Sequence, residues 1–351
     1  MPVQGKTLMY ALAIAAALAV GQPAAADRLL AYHFDVGQAD MTLIQSGGCN
    51  VLIDAGRWDR NDVLGHLERV GVSQIHILIA THPHADHIGQ MDQVIERYAV
   101  GQLWATGWEH DSRTFERFLD AALEDDLSYY EVRAGGGVQC GDMAMRVIHP
   151  VDPLEGIHDG VAVRIEHEHA TLLYTGDAEA AHEREMLARG ENVEADVLHL
   201  GHHGSSTSTI PEFLSAVDPK MVIYSAGRDN RYGHPHGEVI ERVKNHGAAV
   251  YGTAEHGTIV IGADAAGIQV RVEHGAGGPE NSISGDECID LNTASASQLL
   301  QLEGITPRLA GVLMSARQSQ PFESTAEITR VQGIGQGQRD AILEHGGACV
   351  H

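Results

Sequence analysis

The sequence predicts a large layered α/β domain followed by a small helical module. From Leu29 to Val272, short apolar runs of strand length alternate with stretches of helical periodicity, a pattern typical of proteins in which helices cover sheets. Residues 273–287, EHGAGGPENSISGDE, read as a polar linker, and beyond it the pattern is purely helical. We therefore expect a main domain over residues 27–272 and an all-α module over residues 288–351.

Twelve strands and five helices are predicted within the main domain. Each strand candidate is a short apolar run, and each helix candidate repeats apolar residues three or four positions apart. The strand candidates are residues 29–36, 41–46, 50–55, 75–81, 143–149, 161–167, 171–176, 196–201, 220–226, 248–253, 257–262 and 268–272. The helix candidates are residues 62–70, 87–98, 113–124, 178–189 and 238–246.

The N-terminal residues 1–26 have the pattern of a secretory signal peptide. Lys6 precedes an apolar core from Leu8 to Val20, and the small-residue run Ala24–Ala26 follows. The apolar core is shorter than the roughly 20 residues that a membrane span requires. We expect cleavage after the last alanine and a secreted or periplasmic mature protein without membrane association. An uncleaved membrane anchor is the alternative.

The chain is strongly acidic, with 48 Asp and Glu residues against 23 Lys and Arg and a formal net charge of −25. This charge repels a polyanion at long range, so a nucleic-acid ligand has to be held locally by cations or backbone amides. A plainly solvated acidic surface explains the same excess. From residue 289 onward the chain has six acidic residues and four arginines, so the C-terminal module is nearly neutral.

Four cysteines in an exported chain indicate disulfides. Cys288 and Cys349 bracket the C-terminal module, and a bond between them would leave Cys49 to pair with Cys140. Spacing alone does not decide the pairing. No set of cysteines has metal-ligand spacing.

The stretch THPHADHIGQ, residues 81–90, carries the most informative polar cluster. It places His82, His84, Asp86 and His87 between a predicted strand and a predicted helix. Four ionisable side chains this close together are costly to bury unless they bind something. Imidazole and carboxylate groups are suitable ligands for zinc, manganese or iron. The cluster therefore predicts a metal site, with a purely structural histidine cluster as the alternative.

Other predicted strands also end in residue types that ligate metals. Asp54 follows one strand and Asp177 another. The remaining endings are His202 and His203 in GHHG and His234 and His236 in GHPHG. A single such ending is an ordinary turn or helix cap, but their repetition predicts one composite site at a sheet edge. A carboxylate between two cations, for which Asp177 is the candidate, suits phosphoryl displacement.

The HxHxDH pattern followed by TGD at residues 175–177 resembles the metallo-β-lactamase superfamily. HFDVGQADMTLIQ, LLYTGDAE, DVLHLGHHGSSTS, GRDNRYGHPHGEVIERV and YGTAEHGTIVI are similar, in this order, to the nuclease domain of ComEC-type DNA-uptake proteins. Ala39 stands where the DVGQGD signature of that family has its second glycine, and Asp35 and Asp40 match its acidic positions. The resemblance implies an αββα sandwich with a dinuclear site between its sheets.

The resemblance also implies ligands for two divalent cations, with manganese as the first choice and zinc as the second. The first two histidines of THPHADH and a GHH histidine would hold one cation. Asp86, His87 and a GHPH histidine would hold the other, with Asp177 between them. The expected metal ligands are His82, His84, Asp86, His87, Asp177, His202, His203, His236 and His158. The expected catalytic residues are Asp86, Asp177 and His203.

Further residues are assigned supporting roles. His158 is the candidate for the third-motif ligand of the superfamily, with a loop histidine as the alternative and His149 as a rival. Asp54 is expected to orient a ligand from behind. The residues Asp35, Asp40 and His234 are also expected to support the ligands from behind. Ser205 and Arg231 are candidates for contacts with substrate phosphates, although helix capping is the alternative use of the serine.

The C-terminal module contains two similar units, LEGITPRLAGVL and VQGIGQGQRDAIL. With the entry phrase LNTAS, it resembles the paired helix-hairpin-helix domain of ComEA-like proteins. Gly333 and Gly335 would let the backbone approach a DNA phosphate beside free helix amides, a contact that does not read sequence. Thr306 replaces the second glycine in the first unit, which favours a packing role there. A protein-protein role for the whole module is the alternative.

Together these features predict an exported, metal-dependent nuclease that hydrolyses DNA phosphodiester bonds, with a C-terminal module that holds DNA without sequence specificity. One rival is a hydrolase of the same fold that acts on a small ester, lactone, β-lactam or phosphorylcholine. The C-terminal module argues against it, because a small substrate needs no grip on a phosphate backbone. The other rival is a non-catalytic extracellular DNA-binding protein. The sequence leaves the oligomeric state open.

Overall fold

The structure, a computed structural model, describes residues 28–151 and 160–274 and part of the C-terminal segment. From 289 to 350 the described residues exclude 293, 295–298, 300–301, 303–304, 323, 332, 336–338, 340–341 and 343–347. The predicted signal peptide, most of the predicted linker and His158 lie outside the described residues. The chain divides into two compact units, Met1–Gly278 and Pro279–His351.

Fifteen strands and seven helices of the first unit are described. The strands are β1 (Leu29–His33), β2 (Thr42–Ser46), β3 (Cys49–Ile53), β4 (Gln74–Ile79), β5 (Ala99–Ala105), β6 (Tyr129–Glu131), β7 (Gly137–Cys140), β8 (Met143–His149), β9 (Ala162–His167), β10 (Ala170–Tyr174), β11 (Val197–His199), β12 (Met221–Tyr224), β13 (Ala249–Gly252), β14 (Ile259–Asp264) and β15 (Gly267–Val272). The helices are α1 (Val63–Arg69), α2 (Met91–Arg97), α3 (Arg113–Glu124), α4 (Ala180–Ala188), α5 (Pro211–Val217), α6 (Gly237–His246) and α7 (Thr253–His256). Within the described ranges, no helix has the length and apolar character needed to cross a membrane.

These strands form two sheets. The first has eight strands in the order β15-β14-β1-β2-β3-β4-β5-β6, and the second has seven in the order β13-β12-β11-β10-β9-β8-β7. Strand β3 runs parallel to β4 in the first sheet, and β10 runs parallel to β11 in the second. The loops that follow the two members of each pair therefore leave the same edge of their sheet.

Successive side chains of a strand point to opposite faces of its sheet, so each sheet packs against the other sheet on one face and against helices on the other. In β3, Val51 and Ile53 pack in the core between the sheets, whereas Leu52 packs with residues of α1, α2 and α3. In β10, Leu172 packs in the same central core and Leu173 packs with residues of α4, α5 and α6. The order is therefore helix, sheet, sheet, helix, which confirms the αββα sandwich that the resemblance implied.

A disulfide joins the two sheets. Cys49 at the start of β3 is bonded to Cys140 at the end of β7, with the Cα atoms 5.6 Å apart. This is one of the pairings that the sequence left open. Cys349 is also disulfide-bonded, but Cys288, its expected partner, lies outside the described residues.

The predicted helices of the main domain are all present, and three of the deviations have clear causes. Helix α2 begins at Met91 rather than residue 87, because the preceding residues form the turn that holds His87. The prediction omitted β5, whose first half is partly exposed and interrupted by Gly101. It also omitted α5, which is short and begins with Pro211, a residue favoured at the first helical position.

The second unit has its own small core. Helix α8 (Pro307–Ser319) begins after Thr306, whose hydroxyl accepts the Leu309 amide hydrogen at 3.3 Å. Leu313 and Phe322 are among the buried residues of this core. The unit is not purely helical as predicted, because β16 (Ile289–Asp290) pairs in parallel with β17 (Ala348–Cys349). This two-residue pairing was too short to produce a strand pattern in the sequence.

Glu183 on α4 makes stability depend on pH. Its carboxylate is fully buried and accepts the amide hydrogens of Thr209 and, at 2.8 Å, Ile210. Burial raises the pKa of this carboxyl from 4.5 to about 7. A raised pKa favours the protonated form in the folded state, so this contribution to stability is complete below pH 4.5 and is lost as pH rises through 7.

We expect the free energy of unfolding of the wild type, relative to Glu183→Gln, to fall by up to about 3 kcal/mol across that interval, since one pKa unit corresponds to about 1.4 kcal/mol. Urea denaturation of both proteins at the two ends of the interval measures the difference. Glutamine cannot titrate, so a difference that stays constant with pH would contradict the prediction.

Candidate metal centre

Loops at the ends of two parallel strand pairs converge on one site. In the first sheet, Asp54 follows β3, and the histidine cluster of residues 82–87 follows β4. In the second sheet, Asp177 follows β10, and the GHHG turn, residues 201–204, follows β11. The site thus draws its side chains from both sheets.

Two groups of metal-ligating side chains stand out. Group A consists of His82, His84 and Asp177, and group B consists of Asp86, His87 and His203. Within each group, one ligand atom from each residue lies within 4.8 Å of the others. Nitrogen and oxygen donors at this spacing suit a divalent transition metal.

Asp177 lies between the groups and presents one oxygen to each. Its Oδ2 lies 3.4 Å from His82 Nε2 and 3.7 Å from His202 Nε2. Its Oδ1 lies 3.3 Å from His87 Nε2 and 3.9 Å from His203 Nε2. This is the arrangement expected of a carboxylate shared by two cations.

The donor atoms themselves fit bound cations. Among the described residues, His87 Nε2, His203 Nε2 and Asp177 Oδ1 are buried and make no hydrogen bond. Buried polar atoms are normally paired, because leaving one unsatisfied costs about 1–3 kcal/mol. Here the three atoms lie together beside Asp86, so ligation of a cation would satisfy all of them.

The charges of the centre compensate one another. Burial alone would raise the pKa of the Asp177 carboxyl, but His87, His82 and His203 hold it well below its usual range. Burial lowers the pKa of His87, but Asp177 and Asp54 outweigh burial and raise it well above its ordinary value. Asp40 and Asp177 shift the pKa of His203 in the same direction. A divalent cation that binds these imidazoles would compete with a proton.

The pKa of His84 shifts in the opposite direction to the pKa values of His87 and His203. Burial, together with the neighbouring His82 and His87, lowers the pKa of His84 to about 4. Its Nδ1 lies 3.0 Å from His82 Nε2. A neutral imidazole is the form that ligates metals.

Asp54 is a strained residue that orients His87. Its φ of 58° lies in the left-handed region, and its side chain is buried. Oδ2 lies 2.7 Å from His87 Nδ1 and accepts the Thr81 hydroxyl hydrogen at 2.7 Å, while Oδ1 accepts the Thr81 amide hydrogen at 2.9 Å. A proton held on Nδ1 leaves His87 Nε2 directed at Asp177.

The GHHG turn places its two histidines differently. His202 and His203 have φ values of 51° and 55°, a conformation that costs an ordinary residue about 1–2 kcal/mol. His203 is buried, with Nδ1 lying 3.0 Å from the Ser225 carbonyl oxygen and 3.4 Å from Asp40 Oδ1. His202 is partly exposed and faces Asp177 and Glu179. His203 therefore occupies the place in group B that the prediction assigned to a GHPH histidine.

The GHPH histidines lie beside group B. The ring centroid of His234 lies 6.0 Å from that of His203 and 5.5 Å from that of His202. His236 stacks edge-on against His234 at 5.1 Å, and its Nδ1 accepts the Ser206 amide hydrogen at 2.8 Å. The structure thus connects His234 to group B and to His202, and connects His236 to His234 and the serine loop. A metal-ligand role for His236 stays a prediction.

The other predicted residues have varied surroundings. Asp35 accepts the Gly37 amide hydrogen in its own loop. Ser205 is buried, and its hydroxyl contacts that of Thr207 at 3.0 Å, within the turn that it was also expected to cap. His149 lies beside His182 and Glu185 at the end of β8. Their functional roles remain predictions.

Gly333 and Gly335 of the second unit differ in the space around them. Gly333 has a φ of 107°, a left-handed conformation that suits glycine. A Cβ atom added there would lie 2.9 Å from a methyl carbon of Leu309, whereas one at Gly335 would meet nothing within 4 Å. The space beside Gly335 is compatible with the predicted close approach of a phosphate.

The sequence reading missed a buried polar chain behind the centre. His199 Nε2 lies 3.1 Å from the Ser225 hydroxyl and 3.9 Å from Asp40 Oδ1. The rings of His33 and His199 stack at 5.7 Å, and His33 Nε2 lies 3.1 Å from the Tyr174 hydroxyl. Burial, together with His199, lowers the pKa of His33 to about 3. The only available signal was a histidine inside two otherwise apolar strands.

Comparison with known families agrees with this geometry. Residues 34–228 match the metallo-β-lactamase superfamily, and residues 285–342 match a helix-hairpin-helix motif. The first match contains groups A and B. The second lies in the C-terminal segment where the paired units were predicted.

Three bacterial proteins are similar to this chain. ComE operon protein 3 of Bacillus subtilis is 32% identical over 64% of the chain and 32% of its own length. Recombination protein 2 of Haemophilus influenzae is 31% identical over 65% of the chain and 28% of its own length. Competence protein ComA of Neisseria gonorrhoeae is 26% identical over 68% of the chain and 33% of its own length. The chain spans about a third of the length of these relatives.

These similarities confirm the two resemblances drawn from the sequence, one for the main domain and one for the C-terminal module. The superfamily match covers more than half of the chain and includes the loops that carry the candidate metal ligands. The chain belongs to the metallo-β-lactamase superfamily.

Proposed function

We propose that this protein is an exported nuclease that requires divalent cations, hydrolyses phosphodiester bonds of DNA at groups A and B, and holds DNA without sequence specificity through its C-terminal unit. The observation that carries the proposal is the position of Asp177, with one oxygen facing each group. Two cations held side by side are the arrangement that phosphodiester hydrolysis uses.

The chain's own residues would bind the cations and would orient the residues that bind them. His82 and His84 would hold one cation, and Asp86, His87 and His203 the other, with Asp177 shared. Asp54 and Asp40 would fix the orientation of the group B imidazoles from behind. The bound cations would supply Lewis acidity toward the phosphodiester oxygens. Manganese is the first candidate and zinc the second, since both accept nitrogen and oxygen donors.

The choice of DNA as substrate rests on the second unit and on the relatives. A helix-hairpin-helix motif grips the phosphate backbone through amides beside glycines. One relative is named a competence protein and another a recombination protein. Arg231 adds a guanidinium near Asp86, where it would contact a substrate phosphate.

Export is supported by two features. The N-terminal segment has the signal-peptide pattern, and the Cys49–Cys140 disulfide is typical of proteins that mature in an oxidising compartment. A nuclease in such a compartment would act on DNA outside the cytoplasm.

The proposal is tested by incubating the purified full chain with linear and circular DNA in the presence of manganese, of zinc or of a chelator. We expect cleavage with manganese, with zinc as the second choice, and no cleavage with the chelator. Cleavage of circular DNA would further identify an endonuclease.

The rival functions give different results. Binding of DNA without cleavage under every metal condition would contradict the nuclease and favour a DNA-binding protein. Absence of both binding and cleavage, with hydrolysis of a lactone, β-lactam or phosphorylcholine ester, would favour the small-molecule hydrolase.

A further inference from the structure

A cavity of about 540 Å³ opens beside the candidate metal centre. Asp86 of group B forms part of its wall, so whatever occupies the cavity lies next to the cations that the group would hold. Its other walls include Arg57, Trp58, Arg231 and Tyr232. The volume lies within the range of small-ligand sites in proteins.

Two of these wall residues are unusually exposed aromatic side chains. Trp58 is 59% exposed and Tyr232 is 49% exposed, which places them among the few large hydrophobic residues on the described surface. Exposed aromatic faces are the platforms on which proteins stack unpaired nucleobases, whatever the base sequence.

The loop that carries Trp58 is fixed to the loop of group B. The Trp58 amide donates to the Ala85 carbonyl at 3.3 Å, and the Gln90 side-chain amide donates to the Arg57 carbonyl at 2.9 Å. Gly89 allows this close contact, because a Cβ atom there would lie 2.2 Å from the Trp58 nitrogen. The backbone at Trp58 is thus fixed by the same turn that presents Asp86.

The loop that carries Tyr232 is fixed from the other sheet. The Asn230 side-chain carbonyl accepts the amide hydrogens of Tyr232 at 3.1 Å and His234 at 3.0 Å. The Tyr232 ring stacks on that of His234 with centroids 5.7 Å apart, and His234 in turn contacts His203. The backbone of both loops and the Tyr232 ring are therefore held in place before any ligand arrives, which reduces the entropic cost of binding.

Arg231 is the group of the cavity wall that can bind a phosphate beside the base, while Asp59, Asp86 and Asp229 also line the cavity. The Arg231 guanidinium lies 4.8 Å from the centroid of the Tyr232 ring and donates to the Tyr232 hydroxyl at 2.7 Å. In the described part of the chain, no carboxylate lies within ion-pair distance of Arg231, whereas Arg57 is paired with Asp59 at 2.7 Å. An uncompensated guanidinium in a protein of net charge −25 is a local attraction for an anion.

We infer that this cavity, hereafter the base pocket, holds the nucleobase of an unpaired nucleotide adjacent to the bond that is cleaved. Trp58 and Tyr232 stack on the base, and Arg231 binds the neighbouring phosphate. The inference rests on the proposed nuclease function and adds a substrate class. A base inside a duplex is already stacked and cannot enter the pocket, so the preferred substrate is single-stranded DNA or a frayed end.

The kinetic test compares two single strands under manganese, one an ordinary oligonucleotide and one a base-free deoxyribose-phosphate oligomer. We expect Trp58→Ala and Tyr232→Ala each to raise the KM of the full chain for the oligonucleotide by about tenfold or more. Cleavage of the base-free oligomer by Trp58→Ala should be unchanged. Trp58→Phe and Tyr232→Phe keep an aromatic face and should restore the KM. Tyr130→Ala, at a tyrosine that is 48% exposed on β6, is the matched control.

A binding test decides the base pocket without any activity. Thymidine 5′-monophosphate is added to the metal-free full chain, and the quenching of Trp58 fluorescence is obtained as the difference between wild type and Trp58→Phe. We expect quenching by the nucleotide and none by deoxyribose 5-phosphate, which lacks a base. Tyr232→Ala should weaken the quenching.

The outcomes separate this inference from the proposed function. Absence of base-dependent quenching overturns the base pocket, whether or not the protein cleaves DNA. Cleavage whose KM is unaffected by the alanine variants, or is raised equally for both oligomers, also overturns it. Base-dependent quenching in a protein that cleaves no DNA supports the base pocket as a nucleotide site and overturns the nuclease.

Discussion

Asp177→Ala is expected to abolish metal-dependent hydrolysis of DNA while DNA binding stays measurable. The carboxylate faces both groups, with His82 on one side and His87 on the other, so its loss removes a ligand from each cation. Replacing residues that only orient ligands typically costs 10–100-fold in activity or metal affinity, and the loss of a shared ligand should exceed about 100-fold. Hydrolysis rates with manganese, together with the number of cations bound per chain, measure the effect.

Two further variants make this result interpretable. Asp177→Asn keeps the shape of the side chain but not its charge, and we expect it to remain folded and to be nearly as inactive. Asp125→Ala removes an exposed aspartate beyond the end of α3 and should be fully active. Full nuclease activity in the Asp177 variants would show that the cleavage does not use this centre.

Asp54→Asn is expected to weaken cation binding by about 10–100-fold while leaving the fold intact. The asparagine carbonyl can still accept the Thr81 amide hydrogen, but its amino group then faces the Thr81 hydroxyl and His87 Nδ1. His87 Nδ1 must become an acceptor, and the proton moves to Nε2, the atom that lies 3.3 Å from Asp177 Oδ1. A protonated Nε2 cannot ligate a metal. Calorimetric titration with manganese measures the affinity, and excess manganese should partly restore hydrolysis.

Asp126→Asn provides the control for backbone strain. Asp126 has a φ of 48°, also left-handed, but it is exposed and lies after α3. Asparagine tolerates this conformation, so neither variant should unfold. If Asp54→Asn bound manganese as tightly as the wild type, Asp54 would only stabilise its own turn.

The sequence was sufficient to predict that the candidate ligands lie together, because the signal depends on strand order. Asp54, residues 82–87, Asp177 and GHHG each follow an apolar run, and parallel neighbours open their loops at the same edge. Short apolar runs also predicted most strands. These inferences need only local pattern and general rules of sheet topology.

The assignment of each histidine required the structure. His202 and His203 are adjacent in the sequence, and a regular turn gives no reason to prefer either. Their consecutive left-handed conformations turn one ring into the core beside Asp86 and leave the other partly exposed. Such conformations are set by the surrounding contacts, so residue types alone did not show that His203 belongs to group B.

The base pocket was also beyond the sequence reading. Trp58 lies in a polar loop between β3 and α1, and Tyr232 lies between β12 and α6. They are separated by about half of the chain, and each alone is an ordinary exposed aromatic residue. The two side chains line the same cavity only because folding brings their loops together.

The Cys49–Cys140 bond and the paired groups fasten the same two sheets at different places. The disulfide lies at the start of β3, and Asp54 and the ligands follow the end of β3 and its neighbour. Each group combines residues that follow strands of the first sheet with one that follows a strand of the second. A bound cation would therefore link the two sheets. A chain without cations would keep the core between its sheets and the disulfide but lose this second link. Metal supply would then influence how long the protein survives heat or proteases as well as how fast it works.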